Sequence, residues 1–97
     1  MRSKVILVVI DGLRDDTAAA QMGYLAHMVE HRQAQRYTVI SEMPSTSRPL
    51  YETLHTGVPP YVHGVVNNNV IRRSKMPNVF ELAARSGLVT AAAAYFW

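Results

Sequence analysis

The stretch at residues 43–69, MPSTSRPLYETLHTGVPPYVHGVVNNN, organises the reading of the chain. Three adjacent hydroxyls, Ser45, Thr46 and Ser47, stand directly before Arg48-Pro49 and a run of helical character. The first backbone N–H groups of a helix have no intrahelical partner, and the macrodipole places about half a positive charge there. A hydroxyl at that point either caps the helix or acts as a nucleophile whose developing alkoxide the same field stabilises. Pro49 suits the first helical turn, where its missing N–H is one of the unpaired donors anyway. Leu50, Thr53 and Leu54 form a short face, and Gly57 is a natural residue just past the helix end.

Working upstream, residues 5–10, VILVVI, form an unbroken, largely β-branched run. Such a run predicts a strand buried on both faces, as in a parallel sheet covered by helices. Asp11-Gly12 follows at once. Ligands of open α/β sheets bind outside the carboxyl ends of the strands, so Asp11 stands where chemistry usually sits, with a turn aspartate or helix cap as the other reading. Residues 15–36 predict one Ala-rich helix with Met22, Leu25, Ala26 and Val29 on a stripe, weakened slightly at Gly23. The same helix carries His27-Met28-Val29-Glu30-His31, which matches the H-x-x-E-H pattern of inverted zinc metallopeptidases, and histidines at i and i+4 can chelate zinc from one face. Both fall away from the apolar stripe, which favours a solvated polar face. A second strand is expected around Tyr37-Thr38-Val39-Ile40. Two parallel strands joined by a right-handed crossover would bring Asp11 and residues 45–47 to one sheet edge.

Downstream, Pro59-Pro60 and His63-Gly64 read as a loop. Asn67-Asn68-Asn69 supplies amides able to donate to an anion, although a triple Asn is also ordinary turn composition. Met76-Pro77-Asn78 predicts the start of a further helix, with Val79, Leu82 and Ala83 inside and Gly87 closing it. Residues 88–96 predict a third strand. The alternation defines the expected fold class as α/β.

The 97 residues make one small domain or part of a larger one, and a 48% hydrophobic content is enough for a globular core. The absence of cysteine excludes disulfides and thiolate metal sites. The net charge of +3 is dispersed, with Arg72, Arg73 and Lys75 the only cluster. No aromatics interleave with it, so nucleic-acid binding, which would show strong salt dependence, ranks last. Arg2 and Lys4 precede an apolar run as in a signal peptide, but Asp11 interrupts it too early. Neither a signal peptide nor a membrane segment is expected, which leaves cytoplasm and periplasm both open.

Taken together, VILVVIDGLR, STSRPLYETLHTGVPPYVHGVVNNN and GLVTAAAAYFW resemble the N-terminal part of the alkaline phosphatase superfamily. The type I phosphodiesterase/nucleotide pyrophosphatase branch is most similar, over nearly the whole chain. The resemblance implies part of a doubly wound, mostly parallel sheet with helices on both faces, incomplete here. Residues 1–97 would then be the N-terminal portion of one catalytic domain whose remainder is missing. It also implies that Asp11 binds a metal. Ser47-Arg48-Pro49, Thr56-Gly57, Pro60 and His63-Gly64 reproduce the family spacing and select Ser47, over Ser45 and Thr46, as nucleophile and metal ligand. Asn68 falls on the asparagine that holds the phosphoryl oxygens together with a backbone N–H.

In that family two divalent ions, usually zinc, support displacement at phosphorus through a covalent phospho-serine or phospho-threonine. Most of their ligands would lie outside this chain, and none of its histidines occupies a family ligand position, so the 97 residues alone are expected to be inactive. Two departures, Leu50 in place of an Asn and Ser47 in place of the commoner Thr, leave phosphodiesters, phosphomonoesters and phosphonates open. The expected partner is a phosphate ester or nucleotide-like small molecule, and exposed sheet edges would favour self-association. A competing reading is a non-catalytic α/β domain that binds an anion or a partner at the helix start. A phospho-aspartyl hydrolase would need an acid where Leu13 stands, and no Gly-x-x-x-x-Gly-Lys loop is present.

Overall fold

Helix ends, and the way the chain satisfies them, set the architecture. The computed structural model describes residues 3–94. Five helices follow in order: α1 (Asp15–Gln21), α2 (Gly23–Glu30), α3 (Ser47–Thr56), α4 (Pro60–His63) and α5 (Val79–Arg85). The chain divides into two compact units, Met1–Val39 and Ile40–Trp97.

The α/β sheet expected from the sequence is not what the structure contains: among the described residues there is no strand, and the regular elements are all helices. Residues 5–10 and 37–40 carry no regular secondary structure, and neither do residues 88–94; Tyr95 and Phe96 of the expected third strand lie outside the described residues. The first run is open to solvent where burial on both faces was expected, with Val5 90% and Ile6 87% exposed. The physical reason is that β-branched content only favours a pleated surface. A strand forms when a neighbouring segment supplies ladder hydrogen bonds and side-chain cover, and here none does. The crossover unit expected from Asp11 to Ser47 falls with the sheet.

In the first unit the single helix expected over residues 15–36 is two shorter ones. Met22 leaves the helical region at φ −93°, ψ 64°, immediately before Gly23, and glycine is the residue a helix interior favours least apart from proline. α1 begins with Asp15 and Asp16, whose charges complement the positive end of the helix. Arg14 grips Asp16 through both guanidinium edges, Nε to Oδ1 at 3.0 Å and Nη2 to Oδ2 at 2.8 Å, while the Thr17 N–H donates to Oδ1 at 2.8 Å. Arg14 first, and then the Thr17 amide, hold the Asp16 carboxyl below its ordinary value of 3.8. Arg36 pairs with Asp15 and ties the end of the unit to the start of α1.

α2 stops well before Arg36 because the chain reverses through Arg32, at φ 57°. The Arg32 N–H donates to the Val29 carbonyl at 3.1 Å and the Gln33 N–H to the Met28 carbonyl at 2.8 Å. This is a Schellman closure with an arginine in the left-handed position that glycine normally fills.

In the second unit α3 runs where the sequence places it. Pro49 lies in its first turn, fully buried, and Gly57 ends it in the left-handed region at φ 75°. The Thr56 hydroxyl donates to the Glu52 carbonyl at 2.7 Å and accepts from the Val58 N–H at 3.4 Å, bridging that turn. α4 opens on Pro60, also fully buried. α5 is capped by Asn78, which accepts from the Glu81 N–H at 3.0 Å, and is closed through Gly87. Its Phe80 ring stacks on His55 of α3 at a centroid distance of 5.6 Å. Among the described residues no helix is long and apolar enough to cross a membrane.

Two measurements check the helix ends. Arg32→Gly removes a side chain from a left-handed position and should stabilise the first unit by about 0.5–1 kcal/mol in chemical denaturation, net of the extra freedom glycine has when unfolded; Arg32→Val should destabilise it. A lowered carboxyl contributes stability that is fully present above its unfolded pKa and lost as pH falls through the folded one. The Asp16 carboxyl carbon should therefore titrate below 3.8 by NMR, and its midpoint should move up in Arg14→Ala. Coincident midpoints would contradict the assigned cause.

Candidate active site

The second unit is held by one buried histidine. His63, 6% exposed, accepts the Val65 N–H on Nδ1 at 3.0 Å. Its remaining proton therefore sits on Nε2, which donates to Thr53 Oγ1 on α3 at 3.0 Å. With Pro49, Pro60 and Val65 it makes the small core between α3 and α4. The His-Gly step is thus structural: the ring locks the loop after α4 to the middle of α3, and Gly64 takes the left-handed turn that follows, at φ 83°.

That clamp presents the start of α3. Ser47 is its first residue, and the preceding Thr46 carbonyl accepts the Leu50 N–H at 3.2 Å. Thr46 makes no side-chain capping bond. Ser45 and Thr46 are exposed, whereas Ser47 is half-buried. The cap comes from twenty residues downstream: Asn68 Oδ1 accepts the Arg48 N–H at 3.0 Å. An N–H partner requires the amide oxygen at that point, so the Asn68 –NH2 carries the donors on the other side of the group.

Asn68 is aimed there by its own turn. The Asn69 N–H donates to Asn67 Oδ1 at 2.8 Å and the Val70 N–H to the Asn67 carbonyl at 3.3 Å, which places Asn68 at the tip. Arg48 fastens the far side of the turn, with Nη1 donating to the Val70 carbonyl at 3.3 Å. The structure therefore brings together the backbone beside Ser47 and the Asn68 amide. The sequence pointed to Asn68 by spacing, but it held no sign that Arg48 would grip the turn or that Thr53 would receive His63. The nearest signal for the second was a threonine on the same stretch as Leu50 and Leu54, read only as part of a face.

Asp11 belongs to the first unit, in the turn completed by Gly12 at φ 73°, and is exposed. Asp11 and Ser47 are hard oxygen donors of the kind divalent ions accept, but a two-metal centre takes about six protein ligands. Among the described residues neither lies in a group of three or more converging His, Asp or Glu side chains. These two donors do not by themselves fit a two-metal centre. A shallow hollow of about 480 Å³ in the first unit, bordered by Val29, Arg32, Arg36 and Tyr37, includes neither of them.

Ser47 thus stands on a helix start whose next backbone N–H is held by a carboxamide. The family model of type I phosphodiesterase / nucleotide pyrophosphatase matches residues 5–97, and the chain belongs to that family. No curated protein and no solved structure matches the chain.

His63→Ala removes two buried hydrogen bonds and the ring between α3 and α4. It should destabilise the second unit by about 2–4 kcal/mol, and Thr53→Val by about 1 kcal/mol. Urea denaturation followed through the amides of residues 47–65 reads both, and equal stability of His63→Ala and wild type would show that the ring is not a clamp.

Proposed function

We propose that this protein is a metal-dependent phosphoester hydrolase of the phosphodiesterase/nucleotide pyrophosphatase type, with Ser47 as nucleophile and Asn68 as the side chain that holds a phosphoryl oxygen. Family membership supports the hydrolase class. The observation that carries the residue assignment is the bond from the Arg48 N–H to Asn68 Oδ1 at 3.0 Å, immediately beside Ser47. The carboxamide oxygen sits where an anionic oxygen gains most from the helix start.

A phosphoryl oxygen replaces Asn68 Oδ1 on the Arg48 N–H. The Asn68 amide then rotates to present its –NH2, so one backbone and one side-chain donor hold the group as charge develops. Ser47 Oγ, on the first residue of α3, gives up its proton to solvent and forms the bond to phosphorus. The ester oxygen leaves with its electron pair, and water later cleaves the phospho-serine to restore the hydroxyl. Divalent ions of the family, for which Asp11 and Ser47 are the candidate ligands, would supply charge neutralisation and a lowered hydroxyl pKa. Because those two donors do not make a centre, the 97 residues alone are expected to bind phosphate without turnover. A second reading, a non-catalytic anion-binding domain, draws on the same two donors.

Adding inorganic phosphate should move the Arg48 amide and the Asn68 side-chain signals in 15N NMR spectra, and Asn68→Ala should weaken the effect about tenfold. Absence of any shift at Arg48 would sink the site. Catalysis is read with bis-p-nitrophenyl phosphate and Zn2+ in a form of the protein that turns it over. There Ser47→Ala should lower the rate about a thousandfold or more, and retention of the rate would remove Ser47 as nucleophile and favour the binding domain.

A further inference from the structure

We propose that His27, Glu30 and His31 form a binding site for one borderline divalent metal ion, of the zinc class, at the end of α2, built from residues other than those assigned to phosphoryl transfer. One ligand atom from each of the three side chains lies within 4.8 Å of the other two. Bonds of about 2.0–2.1 Å to a tetrahedral ion set ligand atoms about 3.3 Å apart. All three side chains are exposed and free to close the remaining distance by small rotations.

The second observation is the state of His31. Its Nδ1 lies 2.9 Å from the His27 carbonyl. A carbonyl can only accept, so Nδ1 carries the proton and Nε2 keeps its lone pair for a ligand. A metal-binding histidine commonly donates its other N–H to a backbone carbonyl, which fixes tautomer and ring orientation. Here that contact already exists, and it is made to the carbonyl of the other histidine. The two rings stand 3.9 Å apart between centroids, tilted by 39°, so they lie side by side on one face.

Position on the helix adds a favourable field. Glu30 is the last residue of α2 and His31 its cap, at the negative end of the helix macrodipole, where a cation is stabilised. Two imidazoles and one carboxylate match zinc, and with less selectivity nickel or copper, better than calcium or magnesium, which take oxygen ligands. Three protein donors leave a coordination position for water or a ligand from outside. An ion bound across His27 and His31 also staples the last turn of α2, so metal binding and order in the first unit are coupled.

Zn2+ titrated into the 97-residue protein by calorimetry, with imidazole signals followed by 1H–13C NMR, tests this. The expected result is saturation at one equivalent with movement of the His27 and His31 rings, while the His55 and His63 rings stay in place. His27→Ala and His31→Ala should each lower the affinity about tenfold or more, and Glu30→Gln less. Circular dichroism of each variant without metal separates lost ligands from lost helix. Calcium at the same concentration should leave the rings unmoved. Zinc binding that persists in the His27→Ala/His31→Ala double variant, or saturation with those two rings unmoved, overturns the site.

Discussion

The unpaired backbone groups at helix ends are the constraint on which the rest of this structure depends. Every short helix exposes N–H groups at its start and carbonyls at its finish, and helices of four to ten residues have little interior to offset them. Asp15 and Asp16 complement the start of α1, Asn78 caps α5, and Schellman closures end α2 and α5. Among the described residues, α3 takes its cap from a residue twenty positions downstream. That departure is what draws the Asn67–Asn69 turn against the start of α3.

The capping bond of Asn68 and the phosphoryl contact proposed for it share one geometry. A carboxamide oxygen on the Arg48 N–H satisfies the helix start, and a phosphoryl oxygen satisfies it better because it carries charge. A donor that is already oriented costs no reorganisation when charge develops, which is the basis of electrostatic stabilisation in transferase and hydrolase sites. The His63 clamp fixes the helix that carries this donor, and the Arg48 side chain fixes the turn that carries the amide. Ser47, at the same helix start, lies in the same field.

How much of this was legible follows from the range of each interaction. The boundaries of α3 and α5 were readable because Pro49, Gly57, Asn78 and Gly87 act within a turn of where they stand. The end of α2 was not, since Arg32 occupies the same left-handed position as Gly87 without being glycine. The strands failed for the opposite reason: residues 5–10 have β-branched composition, but pairing is a property of two segments and a composition describes one. At the site, Ser47 and Asn68 were found through spacing shared with a family. The bond from the Arg48 N–H to Asn68, and the burial of His63, needed coordinates.

The histidines show why residue type alone did not separate structure from chemistry. His63 has both ring nitrogens engaged inside the second unit, one accepting from Val65 and one donating to Thr53, so it has no lone pair left for a metal. His55 donates Nδ1–H to the Tyr51 carbonyl at 2.6 Å and lays its ring on Phe80. His31 makes the same local bond, to His27, but its ring meets another histidine and stands one residue from a glutamate. The same nitrogen, donating to the carbonyl four residues back, thus gives a packing residue in one helix and an oriented ligand in the other. What differs is the company of the second nitrogen: a phenyl ring on α5 in the first case, an imidazole and a carboxylate in solvent in the second.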